Sequence, residues 1–150
     1  MPNREILFRG KRIDTGEWVY GGCFQKSDGC FGIVQETDTP LITSIVAVDP
    51  STVGQYTGLK DKNGTSIFEG GIVKTHYANT GKVKNAECVE QVVFSGGRFC
   101  SFYKSQSGAM WWSALPDGVN HLQQDTSIYM DWCEVIGNIH DNPELLEVEN

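Results

Sequence analysis

The sequence predicts a mainly β protein: a single domain, bent into a small SH3-like barrel or a sandwich, with an inserted β-ribbon or subdomain at about residues 78–131. Three observations carry this expectation. Apolar residues fall into many short, separate runs, one of them β-branched at Ile42, Thr43, Ile45, Val46 and Val48; such side chains fit a pleated surface. Seventeen glycines punctuate the runs and mark turns, bulges and corners rather than long helices. A length of 150 residues suits one domain with a sizeable core.

Taken in order, residues 6–8 read as a short strand that Gly10 carries onward, and Asp14-Thr15-Gly16 as a turn. Residues 17–24 alternate, placing Trp18 and Tyr20 on one face and Val19 on the other. Ser27-Asp28-Gly29 closes a hairpin onto residues 30–35. The continuous apolar run 41–48 reads as a central strand. In Asp49-Pro50-Ser51-Thr52 an Asp that can accept backbone N–H bonds precedes a proline suited to a first helical position, which predicts one capped helical turn. Residues 72–77 form the next strand; 87–94 and 98–103 pair through the tight turn Ser95-Gly96-Gly97; 110–115 is a short helix or a strand. The segment 120–129 has no clear pattern, 132–139 is a closing strand stopped by Asn142-Pro143, and 144–148 ends the chain with about one helical turn.

The most turn-rich stretch is 53–77. Gly54 and Gly58 bracket Gln55-Tyr56-Thr57, and each predicts a sharp change of direction. Asp61-Lys62-Asn63-Gly64 is a turn signature, since Asn and Gly tolerate left-handed backbone and Asx side chains bond their own main chain. Ile67-Phe68, Glu69-Gly70-Gly71 and Ile72-Val73 then read as strand, glycine corner, strand. The block from Gln55 to Glu69 is expected to be scaffolding, with Tyr56 buried and a small crevice beside it. Gln55, Tyr56, Asp61 and Glu69 are the candidate ligand-binding residues.

Three blocks carry a resemblance: Arg4-Glu5-Ile6, Phe8-Arg9-Gly10-Lys11-Arg12 and Gly16-Glu17-Trp18-Val19-Tyr20-Gly21; residues 53–64 continuing through Phe68-Glu69-Gly70; and Val135-Ile136-Gly137-Asn138-Ile139 with Asn142-Pro143-Glu144-Leu145-Leu146. Together they resemble the YopX family of phage and prophage proteins over nearly the whole chain. The resemblance implies an origin and a β fold rather than an activity. It also implies a departure: the family's Glu-Gly-Asp-Ile-Val pattern has an acid where this chain has Gly71, so any chemistry of that carboxylate is lost here.

Composition bounds the function. Twelve Lys and Arg against nineteen Asp and Glu give a net charge of −7, which opposes a global basic face and makes nucleic acid an unfavoured partner. Residues 1–12 nevertheless hold Arg4, Arg9, Lys11 and Arg12 against Glu5 alone, while 131–150 hold six acids and no Lys or Arg. Both ends read as solvated surface, with pairing to each other or to a second subunit as the alternative. The five cysteines, Cys23, Cys30, Cys88, Cys100 and Cys133, lack C-x-x-C spacing and read as buried thiols, not a zinc site or disulfides; Cys23 and Cys30 could touch across the hairpin. No apolar run reaches membrane-spanning length, and the opening Met1-Pro2-Asn3-Arg4-Glu5 lacks a signal-peptide pattern, so the cytoplasm of a bacterial host is the expected location.

No catalytic residue, metal site or cofactor is predicted. His76, His121 and His140 have no nucleophile elbow beside them, and no phosphate-binding glycine loop opens a helix. Glu69, at the glycine corner, is the best placed of the carboxylates Asp14, Glu17, Asp61, Glu69, Glu134 and Asp141, and turn stabilisation is its expected role. Trp111 and Trp112 are the candidate interface residues: on a strand, neighbours face opposite ways, so one core cannot readily bury both. The expected function is a non-enzymatic phage accessory protein that self-associates as a homo-oligomer and contacts a phage or host protein. The alternative is a nucleic-acid-binding module using the basic edge from Arg4 to Arg12, and a third option is an enzyme using Glu69 and Asp61.

Overall fold

A computed structural model describes residues 5–29, 31–36, 43–79, 86–104, 110–114 and 128–147. The described residues are mainly strand, in antiparallel sheets that are not closed, with two 3-10 turns and no α-helix among them. The chain divides into two compact units, residues 1–58 and 59–150.

The first unit contains β1 (Phe8–Lys11), β2 (Trp18–Gln25), β3 (Phe31–Glu36), β4 (Thr43–Val48) and the start of β5 (Gly54–Lys60). Its strands lie in the order β4-β3-β2-β1-β5. The alternation read from residues 17–24 decides the faces: Val19 is buried, while Tyr20 is 46% and Phe24 47% exposed. Register carries the buried face across the sheet, where Val19, Ile33 and Val48 form a core lined by Phe8, Cys23, Phe31, Val46 and Val53. Gly10 stands over Val48, where a Cβ would lie 3.0 Å from the Val48 side chain. The run 41–48, expected to be central, ends the strand order instead, and Ile45 is 60% exposed. One bridge, Arg12↔Val48, ties β4 to the end of β1.

The predicted cap forms as read. Asp49 accepts from the Ser51 N–H at 2.9 Å, and Pro50–Thr52 is a single 3-10 turn. Buried Thr52 fixes the turn to β1: its hydroxyl accepts from the Lys11 N–H at 2.8 Å and donates to the Asp49 carbonyl at 2.6 Å. That delivers the chain into β5, where Gly54 and Gln55 pair with Arg9 and Phe8. Gly54 is therefore a strand residue, not the change of direction expected of it; Gly58 does adopt positive φ, at 85°.

The second unit contains β6 (Ser66–Phe68), next to the far end of β5, and a sheet ordered β10-β9-β8-β7-β11. These strands are β7 (Gly71–Asn79), β8 (Ala86–Ser95), β9 (Arg98–Lys104), β10 (Met110–Ala114) and β11 (Ile128–Asn138). Gly96 and Gly97, both at positive φ, turn β8 into β9. Residues 110–114 are strand rather than helix, paired in register with β9. Ile67, Val73, Val92 and Cys133 form the core, with Leu59, Phe99 and Val135 packed against it. Opposite residues in adjacent strands share a face, so the register rows Glu90–Val73–Val135 and Cys88–Thr75–Cys133 put buried Glu90 and Thr75 on this core face. The expected contact of Cys23 with Cys30, the loops at 37–40 and 80–85, His121 and residues 120–127 lie outside the described residues.

Candidate functional site

The turn from Asp61 to Thr65 shows why its signature matters. Asp61 N–H donates to the Thr65 carbonyl at 2.8 Å, and Gly64, at φ 82°, donates back to the Asp61 carbonyl at 3.0 Å. The Asp61 side chain does the remaining work. One carboxylate oxygen accepts from the Asn63 and Thr65 N–H groups, both at 2.9 Å, and the other from the Val135 N–H at 2.8 Å. β11 is the last strand of its sheet, so its outer N–H and C=O groups need partners. The turn supplies them: Val135 N–H reaches Asp61, and the Cys133 carbonyl accepts from Lys62 N–H at 3.1 Å. At the rim, Glu134 accepts from the Asn63 amide at 3.1 Å and faces the Lys62 ammonium at 3.4 Å.

Asp61 is 8% exposed. Burial pushes its pKa up, but the N–H bonds from Val135, Thr65 and Asn63, with the Lys62 charge, outweigh that and leave it below its ordinary value. Its lone pairs are committed to backbone, so the arrangement suits holding two segments together rather than moving a proton. Beside it, burial together with the charges of Asp61 and Glu90 pushes the Cys133 thiol up to about 11, the opposite of what a nucleophilic thiol needs. Among the described residues, no group of three or more His, Cys, Asp or Glu side chains is placed to hold a metal ion.

The remaining sequence candidates are dispersed. Gln55 and Tyr56 belong to the first unit, Asp61 and Glu69 to the second. Tyr56 is 6% exposed and its N–H donates to the Leu7 carbonyl at 2.7 Å, as a scaffold residue should. Gln55 is half-buried opposite Phe8. Glu69 is half-buried in the corner between β6 and β7, which Gly70 fixes at φ 82° by donating to the Val92 carbonyl and accepting from Ile139 N–H, each at 2.9 Å. At Gly71 a Cβ would lie 2.9 Å from the Phe68 carbonyl oxygen, so an acid there requires a slightly wider corner. Trp111 and Trp112 pair in register with Tyr103 and Phe102.

Two features escaped the sequence reading. In the first unit, the Arg9 guanidinium lies 4.6 Å and the Lys11 ammonium 5.4 Å from the Trp18 ring. The register Arg9↔Tyr20 and Lys11↔Trp18 puts all four on one face, and the alternation on both strands was the available signal. The described cations of the basic start are thus engaged locally, Arg12 with Asp14 at 2.8 Å; that bond first, and the Arg12 charge, draw Asp14 down to about 2. Beside this pair a groove of about 450 Å³ is lined by Arg12, Ile13 and Asp14 on one side and by residues 44–47 on the other. The second feature closes the second unit. The Asn138 side-chain oxygen accepts from the His140 and Asp141 N–H groups, both at 3.0 Å, and its amide donates to Asp141 at 2.9 Å. At Gly137 a Cβ would meet the Asn142 side-chain oxygen at 2.5 Å, which explains the glycine.

These features define an all-β protein of open antiparallel sheets whose polar turns brace backbone. The crystal structure of protein EF1440 from Enterococcus faecalis has a similar fold, with a TM-score of 0.50 and 24% identity, covering 97% of this chain and 100% of that one. The family described as YopX protein matches residues 7–147. The chain belongs to the YopX family. No curated protein matches it. No helix among the described residues is long and apolar enough to cross a membrane.

Proposed function

We propose that this is a non-enzymatic accessory protein of phage or prophage origin, working in the cytoplasm of a bacterial host through protein–protein contacts and self-association. The observation that carries the reading is the exposed apolar side of the first unit, where Tyr20, Phe24 and Ile45 stand 46%, 47% and 60% exposed. Aromatic and aliphatic side chains gathered on one sheet face are the material of contact surfaces. The committed oxygens of Asp61 and the raised thiol of Cys133 support binding over catalysis. Trp111 and Trp112 are proposed as further interface residues; Gln55 and Tyr56 in the first unit, and Asp61 and Glu69 in the second, are proposed as separate candidate contact residues. We read both units as one YopX domain with an SH3-like bent sheet at its start and residues 78–131 as the insertion.

Light scattering on a sizing column across a dilution series tests the reading. A species larger than 16.6 kDa that persists on dilution is expected. A monomer at every concentration, with no specific partner recovered from induced host cells, overturns it. The alternative, nucleic-acid binding, is favoured by one observation, the Arg9–Trp18–Lys11 stack.

A further inference from the structure

The outer edge of the last strand of the first unit's sheet is tied to residues 11–13 at its Ala47–Asp49 end and open at Thr43–Ile45, and its geometry fixes which groups are open. The Ala47 carbonyl points outward, because it accepts from the Ile13 N–H at 3.2 Å, and the Asp49 N–H points outward to the Lys11 carbonyl at 2.8 Å. Antiparallel strands alternate inward and outward bonding groups, so the N–H and C=O of Ile45 and Thr43 lie on the same edge. Among the described residues, no hydrogen bond reaches the outward groups of Ile45. The neighbouring groove carries Ile13, 68% exposed, and Ile45, 60% exposed; the Ile45 side chain lies over Gly32, where a Cβ would meet Ile45 Cγ2 at 2.5 Å. Edges of this kind are ordinarily protected by lysine, proline or a bulge. Thr43–Val48 contains none of these and no charge at all.

We propose that the β4 edge and the Ile13–Ile45 groove are a homotypic docking surface, in which β4 of a second copy pairs antiparallel about a two-fold axis at Ser44. The inference rests on the self-association reading and names its surface. A second copy is the occupant the residues favour. An uncharged strand meeting itself puts no like charge opposite its copy, although each chain carries −7 overall. The charges at the groove rim, Arg12 and Asp14, already neutralise each other, so two rims approach without repulsion. In this register Ile45 of one copy stands opposite Thr43 of the other, the two Ser44 residues face each other, and about four main-chain hydrogen bonds form.

The experiment uses the full chain with two substitutions. Ile45→Lys places a charge on the edge while leaving the buried face untouched; it raises the dimer dissociation constant by on the order of a hundredfold, with an unchanged circular dichroism spectrum. Ser44→Cys brings two thiols within disulfide range, since facing Cβ atoms in a non-hydrogen-bonded pair lie about 4.5 Å apart; mild oxidation gives a covalent dimer that wild type, oxidised in parallel, does not give. An oligomer that survives Ile45→Lys and yields no Ser44→Cys cross-link overturns this surface while leaving self-association standing. A wild-type monomer at all concentrations overturns both. Protection of the Ile45 amide only when a foreign extended peptide is added also overturns the homotypic assignment.

Discussion

Asp61 shows how much one side chain can do in a β protein. Its carboxylate joins its own turn to Val135, 74 residues further on. Asp61→Ala leaves three N–H donors without their acceptor, one of them on a strand edge; the expected loss is about 3 kcal/mol, read as a lower urea midpoint at unchanged slope, with Asp61→Asn less damaging. An unchanged midpoint would refute the bracing role. The pH dependence follows from the lowered pKa: the stability Asp61 contributes is fully present above its ordinary carboxylate value of 3.8 and is lost as pH falls through the lower folded value. Asp61→Asn should flatten that acid limb. The nearby Cys133 titrates near 11 because it is buried beside two carboxylates, and burial likewise pushes up Cys23, Cys88 and Cys100. A thiol reagent at neutral pH should therefore label Cys133 in the folded chain far more slowly than in urea; equal rates would show that the core around it is open.

Among elements, the closing turn after β11 makes the sharpest prediction. Asn138 is 9% exposed and holds two N–H groups and a carboxylate; Asn138→Ala should cost about 2 kcal/mol and lower the melting temperature. Gly137→Ala must displace the Asn142 side chain and should cost about 1 kcal/mol, measured the same way; a neutral outcome for both would make this turn incidental. The elements also separate what was legible from what was not. The Asp49 cap, the glycine turn at Gly96-Gly97 and the alternation of Trp18, Val19 and Tyr20 are local chemistry, and sequence shows local chemistry. The place of β4 at the end of its sheet depends on which strands find partners, and an apolar β-branched run looks alike at centre and edge. Residues 110–114 are strand because β9 lies beside them, a pairing on which their own composition is silent. For the site, the turn role of Asp61 could be read; its bond to Val135 could not, since nothing near Asp61 names its distant partner.

At the scale of the whole molecule, charge decides between the two functional readings. Residues 1–58 hold five basic and seven acidic side chains, so even the half of the chain with the basic start is acidic in sum. On the face that carries exposed Tyr20, the cations Arg9 and Lys11 both lie over Trp18. A stacking platform for single-stranded nucleic acid needs open rings and several phosphate contacts. With two cations available, release of counterions gives a slope of only about −2 in log affinity against log salt, too little to offset the repulsion of a chain at −7. The expected gel-shift result is therefore no retardation of single- or double-stranded DNA below micromolar protein at physiological salt, and at most a weak, non-specific shift at low salt. Sub-micromolar, steeply salt-dependent binding that Arg9→Glu or Trp18→Ala abolishes, with the fold intact, would reverse the choice, because it would mean that the stack opens to offer both its ring and its charges to the ligand.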